Sequence, residues 1–144
     1  MNVSTILRRK GTYVETARPE ISFLEAARRL THHGIGSLVI LDDVGELVGV
    51  LSERDLVQAV AEHGPSCWNM PVGEVLKERP TTCKPEDPLR EVMAIMTRRR
   101  VRHLPVLAGE AIVGLVSIGD VVSCQLEELQ LEVGVLRDYA RGRS

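Results

Sequence analysis

Apolar residues follow a helical spacing in two separate segments of the chain. In each segment they recur at positions i, i+3, i+4 and i+7, which places them on one face of an α-helix. The two sets are Phe23, Ala26, Ala27 and Leu30, and Leu89, Val92, Met93 and Met96. The pattern predicts two amphipathic helices, and Gly34 is expected to end the first of them.

A pair of short apolar segments follows each predicted helix. The first pair covers residues 37–41 and 47–51, and the second covers residues 103–107 and 111–116. Asp, Gly and Glu residues separate the two members of each pair, so each pair is expected to form a β-hairpin. Short extended segments, residues 13–17 and 81–83, are expected before the helices.

Each predicted hairpin ends in the same motif: Gly, two apolar residues, Ser, two variable residues and Asp. We call the two copies the corners, residues 49–55 and 114–120. Ser52 and Ser117 are placed to cap a following helix, with Asp55 and Asp120 in its first turn. Each corner therefore predicts a strand that turns directly into a helix.

The elements occur in the same order in both halves, which indicates an internal repeat. An offset of 66 aligns residues 16–41 with the second half, and after one deletion an offset of 65 aligns the corners. Amphipathic lead-ins at residues 3–9 and 72–78 repeat with an offset of 69. We expect an α+β fold of two βαββα repeats packed pseudo-symmetrically, with small sheets covered by helices. The predicted divisions are residues 1–66, residues 67–130 and a C-terminal helical extension, residues 131–144.

The last predicted helix carries apolar residues at alternating intervals of four and three, which is a heptad pattern. These residues, the seam, are Val122, Leu126, Leu129, Val133 and Leu136. The seam is about two heptads long, and Gly134 is expected to interrupt it. Two interpretations are open: the helix packs on its own chain, or the seam is a self-association surface.

Composition argues against several classes of function. The net charge is −2 and aromatic residues make up 3% of 144 residues, so the chain has neither the basic excess nor the stacking rings of a nucleic-acid-binding protein. No apolar segment approaches the roughly 18 residues of a membrane span, and the N-terminus lacks the features of a signal peptide. The separate cysteines Cys67, Cys83 and Cys124 are expected to be reduced thiols in a cytoplasmic protein.

The repeat resembles the tandem cystathionine-β-synthase (CBS) domain pair, often called a Bateman module. The matching segments are residues 16–19, 34–40 and 49–55 in the first copy, and residues 82–85, 100–106 and 114–120 in the second. The resemblance covers nearly the whole chain. It implies a regulatory module that binds adenosine-containing ligands, that is usually a homodimer and that catalyses no reaction itself.

The resemblance implies a ribose subsite at each corner. Asp120 and Asp55 match the family's ribose position, where a carboxylate accepts hydrogen bonds from both ribose hydroxyls. Alternatively, each Asp only stabilises the N-terminus of its helix. Ser117 and Ser52 could donate to a ligand phosphate, and each could also cap its helix.

A phosphate needs a cation, and the two copies differ in the residue available for this role. Arg54 lies beside the first-copy Asp and is a good phosphate ligand. The second copy has Gly119 at that position, so its cation is expected from Lys84, Arg102 or His103. His103 is expected to be neutral near pH 7 unless a phosphate raises its pKa.

The resemblance also assigns an apolar slot for adenine. The matching residues of the second copy are Thr82, Cys83, Leu104 and Pro105. Cys83 is then a small wall residue and not a nucleophile, and Pro105, which lacks an N–H group, is expected at an exposed strand start or edge. Thr16 and Ser37 take the places of Thr82 and His103 in the first copy, which departs further from the family's pattern.

We therefore expect a stand-alone regulatory protein that binds an adenosine-containing ligand between its repeats. AMP is the first candidate, with ATP, NAD(H) and S-adenosylmethionine as others, and an unidentified protein partner could respond to the change in packing. The alternative is a ligand-free dimeric interaction module. An enzyme is disfavoured, because the sequence has no catalytic triad, P-loop or metal-ligand spacing, and no catalytic cofactor is expected.

Overall fold

The computed structural model describes residues 1–76 and 79–142. Its helices are α1 (Val3–Lys10), α2 (Phe23–His33), α3 (Glu53–His63), α4 (Leu89–Arg99) and α5 (Ile118–Ala140). Its strands are β1 (Thr16–Ala17), β2 (Ser37–Leu41), β3 (Leu47–Ser52), β4 (His103–Ala108) and β5 (Ala111–Ser117). Two 3₁₀ helices, Gly64–Asn69 and Val72–Glu74, lie between the halves. The predicted α+β fold of two repeats is confirmed.

Each repeat contains one small sheet. In the first, β1 pairs in parallel with β2, and β2 pairs antiparallel with β3. In the second, β4 and β5 form an antiparallel hairpin, and Cys83 adds a single parallel bridge to Val106 in the place of a third strand. The extended segments predicted at residues 13–17 and 81–83 are therefore shorter in the structure, namely Thr16–Ala17 and one bridge.

Both helices that precede the hairpins end in a left-handed residue. Gly34 ends α2 at φ 61°, as predicted. Arg100 ends α4 at φ 55° and is the only non-glycine residue with positive φ in the described ranges. A side chain in this conformation costs roughly 1–2 kcal/mol, which glycine avoids. The equivalent turn is therefore more strained in the second repeat.

The lead-in of each repeat packs into the core of the other repeat. Val3, Ile6 and Leu7 of α1 lie in the core that contains α4, β4 and β5. Conversely, Cys67 and Val72 lie in the core that contains α2, β2 and β3. The two cores therefore exchange segments across the predicted boundary at residues 66–67. Residues 77 and 78, the end of the predicted second lead-in, lie outside the described residues.

A leucine from each lead-in packs against the glycine of a corner. A Cβ atom at Gly49 would lie 3.2 Å from Leu76 Cδ1, and one at Gly114 would clash with Leu7 Cδ2. Neither glycine has a positive φ, so the close approach of a leucine side chain is the feature that favours glycine here, and a larger residue would displace that leucine. These contacts fix the two lead-ins against the two corners.

Helix α5 continues through Gly134 without a break, so the predicted interruption is wrong. A single glycine costs only about 1 kcal/mol in a helix interior, which the turns on either side can offset. The seam residues are 40–67% exposed. Helix α5 packs on its own chain, as the first interpretation predicts, but it does so through Val121 and Cys124, which lie on another face than the seam. Self-association through the seam stays a prediction.

Candidate functional site

The two corners have matching hydrogen bonds. Ser52 Oγ accepts from Asp55 N at 3.2 Å, and Asp55 Oδ2 accepts from Ser52 N at 2.8 Å. At the second corner the equivalent distances are 3.1 Å and 2.9 Å, between Ser117 and Asp120. Both pairs are reciprocal capping boxes. The described hydrogen bonds of both carboxylates end on Oδ2, and none of them ends on Oδ1.

Lys10 lies at the second corner, where the sequence did not predict it. Its Nζ donates to Asp120 Oδ2 at 2.8 Å and to the carbonyl oxygen of Leu115 at 3.0 Å. The last turn of α1 brings it there, because the apolar face of α1 packs into the second repeat. The only sequence signal was a basic run at residues 8–10, which also suits a helix C-terminus.

The charge state of Asp120 follows from this environment. Burial raises the pKa of the carboxyl group, but the hydrogen bonds from Lys10 and Ser117, together with the charge of Lys10, lower it more. The net pKa lies below the ordinary value, so Asp120 is an anion at neutral pH. An anionic, partly buried carboxylate is a strong acceptor for hydroxyl donors.

His103 connects the two repeats. A Cβ atom at Gly36 of the first repeat would lie 3.5 Å from His103 Cε1. Burial lowers the pKa of His103, and the charges of Lys10 and Arg102 lower it further, against the opposing effects of Asp120 and Glu53. The imidazole is therefore neutral at neutral pH, as expected, and lies among charged groups from α1, α3, α5 and the residue before β4.

A sequence model of the CBS domain matches residues 3–62 and again residues 72–127. The chain belongs to the CBS-domain family. Each match begins at a lead-in and ends in the helix that follows a corner, so each covers one sequence repeat of this CBS pair.

Relatives and solved structures agree with this assignment. The chain is 30% identical to the CBS domain-containing protein CBSX3, mitochondrial, of Arabidopsis thaliana, over 97% of this chain and 72% of that protein. It is 38% identical to the CBS-domain protein ATU1752 of Agrobacterium tumefaciens, with a TM-score of 0.83 over 86% and 92% of the two chains. The CBS pair of protein MJ0100 was solved with 5′-methylthioadenosine and S-adenosylmethionine; it is 26% identical, with a TM-score of 0.78 over 89% and 98%.

The residues predicted to form the adenine slot are mostly buried inside the CBS pair. Cys83 and Leu104 belong to the second core, and Thr82 is half-buried. Pro105 is buried within β4, so its predicted exposed position is wrong. The carbonyl oxygen of Pro105 accepts a hydrogen bond from Cys83 N at 3.0 Å, so the backbone of Pro105 faces Cys83 and not β5. Proline fits there because the β4–β5 ladder needs no N–H group from this residue.

The Cys83 thiol is unreactive in this position. Burial, with a smaller effect of Asp87, raises its pKa to about 12. The thiolate is the nucleophilic form of cysteine, and it is essentially absent at neutral pH. This raised pKa agrees with the expectation that Cys83 is a wall residue and not a nucleophile.

The cations predicted for the second corner differ in exposure. Lys84 and Arg102 are exposed, and His103 is half-buried. Lys84 and Asp120 are next to opposite ends of α1. Pro85, which follows Lys84, accepts a hydrogen bond from Ser4 N at the start of the helix, whereas Asp120 accepts one from Lys10 at its end. Of the cationic side chains in the described residues, Lys10 is the one bonded to Asp120.

The first-repeat site is more open. Arg54 and Thr16 are exposed, and the carbonyl oxygen of Thr16 accepts from Arg29 at 3.2 Å. Ser37 is 2% exposed, and its Oγ is the one buried side-chain oxygen or nitrogen without a hydrogen-bond partner in residues 1–76 and 79–142. An unpaired buried hydroxyl costs about 1–3 kcal/mol, which a ligand acceptor or a water could recover.

Two depressions in the described part of the protein lie away from these residues. A depression of about 650 Å³ on α2 is lined mainly by Arg28, Arg29, His32 and His33, and a second of about 420 Å³ lies between α2 and α3. None of the predicted site residues lines either of them. In the described part of the chain, no group of acidic, His and Cys side chains is arranged to hold a metal, and no helix could span a membrane.

The buried neutral His103 predicts a pH dependence of stability. Its folded pKa lies below the unfolded value of about 6.5, so the unfolded chain binds the proton more readily. The contribution of neutral His103 to stability is therefore complete above the unfolded pKa and is lost as the pH falls below it. We expect the urea midpoint to fall between about pH 7 and pH 5, and His103→Gln to reduce this fall.

The matched control is His63→Gln, whose side chain is 42% exposed at the end of α3. This substitution should leave the change of the urea midpoint with pH the same as in the wild-type chain. Equal slopes for the wild-type chain and His103→Gln would contradict the prediction. The carboxyl group of Asp120 does not affect this comparison, because the hydrogen bonds from Lys10 and Ser117 lower its pKa below that of an ordinary carboxyl group, so its contribution to stability is lost only in stronger acid.

Proposed function

We propose that this CBS pair is a regulatory protein that binds a phosphorylated adenosine ligand, AMP foremost, at the corner of its second repeat. The observation that carries the proposal is the Lys10–Asp120 pair, which combines an anionic acceptor with a cation 2.8 Å away. Asp120 would accept from the ribose hydroxyls through Oδ1, and Lys10 would bind the phosphate. The MJ0100 pair, which binds two adenosine-containing ligands, supports the nucleoside part.

Lys10 favours a ligand that carries negative charge. Adenosine and methylthioadenosine offer no anion to it, and the sulfonium of S-adenosylmethionine would be repelled. A ligand phosphate would also give Lys10 a new anionic partner in place of the hydrogen bond to Asp120. Arg54, exposed beside Asp55, and the unpaired Ser37 hydroxyl support a second, weaker site in the first repeat.

We infer that the signal is a change in the packing of α1. A ligand that draws Lys10 away from Asp120 would act on the helix whose Val3, Ile6 and Leu7 lie in the second core. A homodimer, or an unidentified protein partner, would respond to that change. The free thiols of Cys67, Cys83 and Cys124 support a reducing compartment, the cytoplasm.

Calorimetry with AMP and adenosine tests the site. We expect Asp120→Asn to weaken both ligands roughly ten- to hundredfold, because a hydrogen bond to a charged group contributes about 1.5–3 kcal/mol. Lys10→Met should weaken AMP by a similar factor and leave adenosine unchanged or slightly tighter. The ratio of the AMP affinity to the adenosine affinity in each variant therefore separates ribose binding by Asp120 from phosphate binding by Lys10.

Asp55→Asn is the matched control, since it makes the same change at the first corner. This substitution should change the affinity for AMP at the second corner, the tighter of the two proposed sites, only slightly. If AMP does not bind the wild-type chain below about millimolar concentration, or if Asp120→Asn binds it unchanged, the proposal is wrong.

A ligand-free interaction module is the second candidate. It is favoured by the burial of Cys83, Leu104 and Pro105 in the core, which leaves little of the expected adenine slot open. In that case Lys10 simply neutralises Asp120. The melting temperature would then be the same with and without nucleotides, whereas a rise of several degrees with AMP would contradict this alternative.

A further inference from the structure

His103 lies between the second corner and the first repeat. It begins β4 and is paired across the hairpin with Ser117, the residue that caps α5. Residues directly opposite each other in an antiparallel pair project from the same face of the sheet, with their Cβ atoms about 4.5–5.5 Å apart. The imidazole therefore lies beside the corner that carries Asp120.

The imidazole also reaches the first repeat. Leu104 and Val106 pack in the second core, so the alternation of β4 directs His103 away from that core. A Cβ atom at Gly36 would lie 3.5 Å from the imidazole Cε1 and 3.9 Å from a carboxylate oxygen of Glu53. The backbone N–H of Glu53 donates to the Gly36 carbonyl oxygen at 3.0 Å, which holds these two residues together. An imidazole and a carboxylate from different repeats therefore lie close to the same point.

The ring nitrogens of His103 form no hydrogen bond or ion pair within the described part of the chain, although the side chain is half-buried. The charged side chains that face the ring are two cations and two anions. They are Lys10 of α1, Arg102 next to β4, Asp120 of α5 and Glu53 of α3. Burial disfavours the charged ring and the four charges largely offset one another, so the imidazole is neutral without a ligand. One additional anion would change this balance.

We propose that His103 takes up a proton when a ligand phosphate binds Lys10 at the second corner, and that the imidazolium then pairs with Glu53 of the first repeat. The phosphate supplies the additional anion, with a charge of roughly −1.5 to −2 at neutral pH. It also neutralises Lys10, whose charge opposes protonation of His103. An opposite charge within about 6 Å favours the protonated ring, and Glu53 then becomes an attractive partner across the boundary. Ligand binding at one repeat is thereby coupled to the contact between the two repeats.

This coupling, which requires the AMP site proposed for the second corner, makes the affinity for AMP depend on pH. Because the complex binds a proton more readily than the free protein, the affinity rises as the pH falls, by at most about tenfold per pH unit for one proton. The phosphate group alone gives the opposite trend, since its second pKa is about 6 and it loses charge as the pH falls. Tighter binding of AMP at lower pH therefore indicates a titrating group of the protein.

Calorimetry of AMP binding between about pH 8.5 and pH 6.5 tests the coupling. We expect the affinity of the wild-type chain to rise about three- to tenfold over this range, with an uptake of several tenths of a proton per AMP at about pH 7. The uptake is measured from the binding heats in buffers of different ionisation enthalpy. His103→Gln cannot take up the proton and should show neither effect. Glu53→Gln should reduce the uptake, whereas the control Glu62→Gln, at an exposed position farther along α3, should not.

Adenosine separates the effect of the phosphate from that of the nucleoside, and its binding also shows that each variant is folded. It should bind without proton uptake, and an uptake equal to that with AMP would contradict the role of the phosphate. The coupling is wrong, and the AMP site stands, if AMP binds the wild-type chain without proton uptake or if His103→Gln takes up as many protons. Equal uptake by Glu53→Gln and the wild-type chain would contradict the pairing between the repeats. If AMP does not bind at all, the proposed site and the coupling are both wrong.

Discussion

Replacing Ile6 by alanine is expected to lower the free energy of unfolding by about 2–5 kcal/mol and to loosen the second repeat. Ile6 is 2% exposed and packs in the core that contains Leu104 and Val116, although it belongs to the first repeat in the sequence. Removing its side chain leaves a cavity between α1 and the second sheet. Urea unfolding measures the loss, and hydrogen exchange of the β4 and β5 amides shows where it occurs.

Arg8→Ala is the control for this experiment, because Arg8 lies on the exposed side of the same helix. It should change stability by less than about 0.5 kcal/mol. If Ile6→Ala accelerates exchange in β2 and β3 as much as in β4 and β5, the assignment of α1 to the second core is wrong.

Phe23→Ala is expected to have a larger effect, about 3–5 kcal/mol, and on the other repeat. Phe23 is fully buried and lies in the core with Leu38, Ile40 and Leu51. Its ring is the largest fully buried side chain of the described residues. Differential scanning calorimetry should show a lower melting temperature, and exchange should accelerate in β2 and β3 first.

Leu24→Ala provides the matched control, since Leu24 follows Phe23 on α2 but is 38% exposed. Its effect should be a small fraction of that of Phe23→Ala. A loss of equal size for the two variants would mean that the apolar face of α2 is not the face that packs on the sheet.

Local features of the fold could be predicted from the sequence because neighbouring residues determine them. The capping boxes at Ser52 and Ser117 need only a partner three residues away, and both are present. The helix spacing around Phe23 and the left-handed end at Gly34 are also local. The repeat itself was visible because both halves carry the same local signals.

The errors and omissions concern contacts between distant residues. Lys10 meets Asp120 because α1 crosses to the second repeat, and no pattern near either residue indicates this. The missing N–H group of Pro105 predicts an exposed position, but the bridge between Cys83 and Val106 covers that side of β4. The spacing of the seam predicted an amphipathic helix, but its exposure depends on where Val121 and Cys124 meet the core.

The exchanged lead-ins also limit how this chain can evolve. Leu7 occupies the space that a side chain at residue 114 would need, and Leu76 does the same for residue 49. A larger residue at either glycine would displace its leucine, more so at residue 114 than at residue 49, and a smaller residue at the leucine would relieve this. A change in the corner of one repeat therefore favours a compensating change in the lead-in of the other.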